Sequence, residues 1–134
     1  MAKGYEQNQE RVRAMNALGK DLARRSRSKC ELTLASGVPL RPYEIPPGPP
    51  EPDLDHILFV SLDALEQLEN PSKFRPDEWR HLADLVWAEL PAVQVMALRI
   101  LQFLATDHGW AAQILADVQP SPEVEEWAAS APLR

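Results

Sequence analysis

Apolar positions fall at helical steps near the start of the chain, lose that rhythm after Cys30, and regain it from Asp63 onward. Across Tyr5–Ser28, Val12, Met15, Leu18 and Leu22 recur three and four residues apart, with Ala14, Ala17 and Ala23 beside them. This spacing predicts a helix with a narrow apolar stripe, suited to light packing or to a partner. Cys30–Leu34 then alternates like a short strand, and Ser36-Gly37 is a turn signal. Seven of the 13 prolines lie between Pro39 and Pro52. Proline has no N–H to give a helix or an inner strand, so that stretch is extended or looped. Tyr43 and Ile45, two residues apart, are expected to face inward from an edge strand. Ile57–Val60, continuous and apolar, is the other predicted strand.

The second half reads as helix after helix. Asp63–Glu69 forms a short one that stops at Asn70, because the residue before Pro71 is pushed out of the α region. Pro76 suits the first position of the next, with Asp77 and Glu78 in its first turn and Trp79, Leu82, Ala83 and Val86 on its buried face. Pro91 opens the segment PAVQVMALRILQFLA, apolar almost all round and therefore central. Trp110–Val118 is predicted to bury Trp110, Ile114 and Leu115. Ser121 caps a last helix that starts at Pro122 and runs through Trp127. The expected fold is mainly α, a single small domain plus an N-terminal helix. It divides into a basic helix (1–29), a small β region with a proline-rich loop (30–62), a helical body (63–130) and a tail (131–134).

Charge sharpens this division. The whole chain of 134 residues carries a formal net charge of −6. Residues 1–30 sum to +5 and the remainder to −11. One cysteine makes no internal disulfide, so packing must supply the stability. The first 30 residues lack the apolar core of a secretory signal and no run of 18 apolar residues occurs, so the expectation is a cytoplasmic protein with no membrane span.

Candidate chemistry is sparse. Asp77, His81 and Asp84 share one helical stripe, but it lies opposite Trp79, Leu82 and Val86 and is expected to face solvent. His56 sits in the acidic loop EPDLDH, and His108 beside Gly109 is placed to cap helix carbonyls. No phosphate-cradling glycine loop, Ser-His-Asp spacing or HExxH motif is present, and no catalytic residue is assigned. The run Arg24, Arg25, Arg27 and Lys29 is the one cluster suited to an anion or an acidic partner. It carries no interleaved aromatic residues and sits on an acidic chain, which disfavours nucleic acid. Three of the four tryptophans fall on apolar stripes, whereas Trp87 lies near a stripe's edge, as an interface residue would.

From Arg27-Ser28-Lys29-Cys30-Glu31-Leu32 the chain resembles the PhnA-like family, bacterial proteins named after an alkylphosphonate-utilisation operon and carrying an N-terminal zinc ribbon. The likeness continues through Tyr43-Glu44-Ile45-Pro46-Pro47, the segment LEQLENP ending at Pro71, Trp79-Arg80, and WAELPAVQV from Trp87 to Val95. It then takes in Ala97, Arg99 and Trp110, covering roughly residues 24–130. The resemblance implies a CxxC pair in each of two knuckles, at 30 and 33 and at 61 and 64. Here those positions read Cys30, Thr33, Ser61 and Ala64. A structural zinc needs four N or S donors. One thiolate, two hydroxyls and a methyl do not supply them, so the expectation is a degenerate ribbon holding no metal and no cofactor. Leu34, Ile45, Leu58 and Val60 are expected to form an apolar substitute.

Two functions follow. One is a non-enzymatic accessory or interaction module that binds a protein partner or self-associates. The alternative, implied by the family name and the basic run, is a phosphonate- or phosphate-anion-binding protein or hydrolase, or weak nucleic-acid binding through the basic helix.

Overall fold

Leu90 is extended and Pro91 takes the first helical position, so α5 (Pro91–Leu104) begins where the missing proline N–H leaves nothing unsatisfied. Ala92, Val93, Leu104 and every residue from Val95 to Leu101 are buried, which makes α5 the axis of the body. Around it pack α4 (Leu82–Leu85), α6 (Gly109–Asp117) and α7 (Pro122–Ser130). Ser121 caps α7 as expected, its Oγ accepting the Val124 N–H at 3.4 Å. The computed structural model describes residues 2–134, with side chains from Glu6 onward. Seven α-helices and one two-stranded sheet are found among them, a mainly α fold. No helix of the described residues is long and apolar enough to cross a membrane.

The sheet pairs β1 (Leu40–Glu44) antiparallel to β2 (Ile57–Ser61), with Leu40 opposite Ser61 and Glu44 opposite Ile57. Pro42 is tolerated because two strands are both edges. Ile57, Leu58 and Val60 are fully buried, and Ile45, just past β1, joins them. Ser61 ends β2 and caps α3 (Leu62–Glu69), its Oγ accepting the Ala64 N–H at 3.1 Å. Asn70 terminates α3 before Pro71.

The remaining expectations change. The N-terminal helix is broken at Leu18 into α1 (Ala2–Ala17) and α2 (Gly19–Ser26). Gly19, the poorest helix former there, sits at the break. Leu22 is fully buried, whereas Val12 stays 42% exposed, so the apolar stripe packs only in its second half. α2 ends with Arg27 left-handed (φ 57°) and the Ser28 N–H returning to the Ala23 carbonyl at 2.9 Å. Cys30–Leu34 is a tight turn and not a strand. Leu34 N–H donates to the Cys30 carbonyl at 2.8 Å and Leu34 is left-handed (φ 67°), leaving one isolated bridge between Lys29 and Ser36. A turn repeats apolar residues over so few positions that alternation does not distinguish it from a strand. Leu34, expected in the apolar cluster, is 54% exposed at the tip of that turn.

The helix expected from Pro76 is also interrupted: a 3-10 turn (Pro76–Trp79) precedes α4. The cause lies in α3, where Gln67, buried, accepts the Trp79 indole N–H at 2.9 Å and the Arg75 N–H at 3.0 Å through one oxygen. That fixes Trp79 before a regular helix develops. Trp79, Leu82 and Val86 are buried as expected, but Ala83 is exposed. Trp110, Ile114 and Leu115 are half-buried.

Trp79→Ala and Leu98→Ala should each destabilise the chain by about 2–5 kcal/mol, through lost transfer energy plus a cavity. Denaturant unfolding followed by the remaining tryptophan fluorescence measures this; a change below about 1 kcal/mol would contradict the core assignment.

Candidate functional site

Arg25 lies on the inward side of α2, and its guanidinium reaches three segments. Nε donates to Glu31 Oε2 at 3.0 Å and Nη2 to Glu31 Oε1 at 2.7 Å, a two-pronged pair. Nη1 donates to the Leu54 carbonyl at 2.9 Å and Nη2 also to the Ile57 carbonyl at 2.7 Å. Glu31, its side chain only 7% exposed, accepts the Phe59 N–H at 2.8 Å, while its own N–H donates to the Phe59 carbonyl at 2.8 Å. Arg25 therefore ties α2 to the Cys30 turn and to the start of β2. It is committed to the fold and offers no open face to an anion.

The other cations of the run stand apart from it. Arg24 is 82% exposed at its side chain and 4.0 Å from Asp21, and Arg27 and Lys29 are exposed. They cluster at the end of α2, outside the apolar body.

The four positions of the expected ribbon come together in part. Cys30 is fully buried, and its Sγ accepts the Thr33 N–H at 3.3 Å. Ser61 Oγ accepts the Ala64 N–H, the same three-residue spacing in the second segment. Thr33 and Ser61 line one cleft of about 570 Å³ with Val38, Leu62 and Trp79, whereas Cys30 and Ala64 belong to the apolar core. The donors do not fit a zinc ion. One soft thiol, two hydroxyls already engaged locally and a methyl group offer no tetrahedral N/S set. Among the described residues no group of three or more His, Cys, Asp or Glu is placed to hold a metal.

The histidine rings make contacts within the fold. His81, expected to face solvent, donates from Nε2 to the Leu32 carbonyl at 2.6 Å and lies face-on to Trp79 at 6.1 Å. The broken helix turns His81 toward the Cys30 turn, which a regular helical wheel does not show. His56 packs on Trp127 at 4.8 Å and meets Asp53 Oδ2 at 3.2 Å. His108, expected to cap carbonyls, instead precedes α6, where its own carbonyl accepts the Ala111 N–H at 3.1 Å. Sequence reasoning missed Arg99, charged and 1% exposed inside the apolar α5, and no periodic signal marks it. Trp87 is 60% exposed on the body.

No family model matches the chain, and no curated protein or solved structure is detectably similar to it.

Glu31→Gln should cost about 3 kcal/mol, because it leaves the Arg25 guanidinium half-buried without its counter-charge. His81→Ala should cost about 1 kcal/mol, the value of one hydrogen bond across the Leu32 turn. Equilibrium urea unfolding of both variants checks the order; Glu31→Gln less damaging than His81→Ala would contradict the central role of the ion pair.

Proposed function

We propose that the chain is a non-enzymatic interaction module, a PhnA-like ribbon that keeps its shape without metal and binds an acidic protein surface, the body of a second copy included. One observation carries the reading. Arg25 is absorbed into the fold, yet Arg24, Arg27 and Lys29 stay exposed together at the end of α2, on a chain whose residues after Cys30 sum to −11. Cations held outside an acidic body are placed to meet acidic groups of another molecule, and such attraction steers association. α1 adds an apolar component through half-exposed Val12. It is pinned near the proline loop by Arg11, which pairs with Glu44 and donates to the carbonyls of Pro49 at 2.7 Å and Pro50 at 2.9 Å. The degenerate-ribbon component draws support from the paired turns at Cys30–Thr33 and Ser61–Ala64, each closed by an N–H to the first side chain, and from the cleft that Thr33 and Ser61 share. Binding of a phosphate or phosphonate anion at the same three cations is the competing reading.

Removing residues 1–28 is not a clean test, since it deletes buried Leu22 and the Arg25 staple. Reversing Arg24, Arg27 and Lys29 together to Glu spares both. The full chain should associate at low salt, with itself or with an acidic protein from lysate, and this should weaken as salt shortens the screening length to about 8 Å at physiological strength. The triple variant should lose the association at low salt, whereas Val12→Glu should weaken only a salt-resistant fraction. Sedimentation at two salt concentrations measures this. A wild-type chain that stays monomeric and partner-free at both would overturn the proposal, and a melting temperature raised by methylphosphonate in wild type but not in the triple variant would favour the anion reading. Elemental analysis should find far less than one zinc per chain; zinc retained at about one per chain through dialysis would overturn the metal-free component.

A further inference from the structure

Arg99 is a cation in the wrong place for an apolar helix. It is 1% exposed, and Nε donates to the Ala128 carbonyl at 3.1 Å and Nη2 to the Trp127 carbonyl at 2.7 Å, both in the last turn of α7. Nη1 meets only the Met96 sulfur, at 4.0 Å, and a thioether is a weak acceptor. A guanidinium has five N–H donors. Among the described residues no oxygen accepts from either Nη1 hydrogen or from the second on Nη2, and no carboxylate lies within ion-pair distance. The negative end of α7 offsets part of the charge. A buried cation without an anion is otherwise costly, and burial pushes the Arg99 pKa down while neighbouring Tyr43 acts in the opposite sense.

Beside Arg99 lies a cavity of about 310 Å³, lined by Gln102, Phe103, Thr106, Asp107, Pro132 and Leu133. Gln102 and Thr106 offer further polar contacts, Phe103, Pro132 and Leu133 an apolar wall, and Asp107 a negative charge that disfavours a dianion. We propose that this cavity binds a small organic carboxylate, its oxygens on the unfilled N–H groups of Arg99 and its alkyl part against Phe103 and Leu133. The site is separate from the exposed cations at the end of α2 and does not depend on the association proposed above.

Thermal unfolding of the full chain with butyrate, acetate, inorganic phosphate or chloride at matched ionic strength tests it, alongside ¹⁵N shifts of the Gln102 side-chain amide. Butyrate should give a saturable rise in Tm of about 3 °C or more, larger than phosphate or chloride gives, and should move the Gln102 resonances. Because Arg99→Met removes contacts to α7 and can unfold the chain, the deciding variant is Gln102→Glu, at an exposed position. It supplies an internal carboxylate at the cavity, so the butyrate response should be lost. No saturable response in wild type, an equal response to chloride, or an undiminished response in Gln102→Glu would each overturn the proposal.

Discussion

The Arg25–Glu31 pair holds together the part of the molecule that has least core of its own. Residues 27–56 contain one five-residue strand, a turn, a proline loop and a single 3-10 turn, none of which can close a hydrophobic core alone. Glu31 joins the Cys30 turn to Phe59 in β2 through two hydrogen bonds, and Arg25 fastens α2 over both. Desolvating two charges is unfavourable unless the remaining donors and acceptors are filled. Here the carbonyls of Leu54 and Ile57 take two more of the five donors, and the planar guanidinium reaches them together, which a lysine does not. His81 adds a tie from the helical body to the same turn at Leu32.

The helical body depends on α5 in a different way. Ten of the 14 α5 residues are buried, so its neighbours are positioned by shape more than by polar contacts. Two buried polar groups supply direction within that packing. Gln67 orients Trp79 and the backbone of Arg75, interrupting the helix after Pro76. Arg99 holds the last turn of α7 against α5. Buried polar groups of this kind are expensive when unfilled and decisive when satisfied, and the partial filling of Arg99 separates it from Gln67.

These features set the two surfaces on which the functional proposals rest. The segment from the Cys30 turn through β2 is held by an ion pair and an apolar core with Cys30 as one member. The cations not absorbed by that pair remain outside, against an acidic chain. The cavity at Arg99 lies at the surface of the body and is chemically distinct, with one buried positive charge, the carboxylate of Asp107 and an apolar wall.

Local spacing determined the elements that rest on one segment's own chemistry: the starts at Pro91 and Pro122, the Ser121 cap, the stop at Asn70, the strand at Ile57, and the burial of Trp79, Leu82 and Val86. Proline geometry, capping and periodicity act within a few residues, so they are legible without the fold. The charge asymmetry was legible too, but not which cation of the run would be free. Arg25 differs from its neighbour Arg24 only in the direction α2 presents it, and its partners lie as far away as Ile57. The Cys30 turn, the break after Pro76, the inward side of His81 and the isolation of Arg99 likewise arise from groups distant in the chain: Phe59, Gln67, Leu32 and the end of α7. Tertiary structure decided these, because a hydrogen bond or ion pair across many residues has no period for the sequence to display.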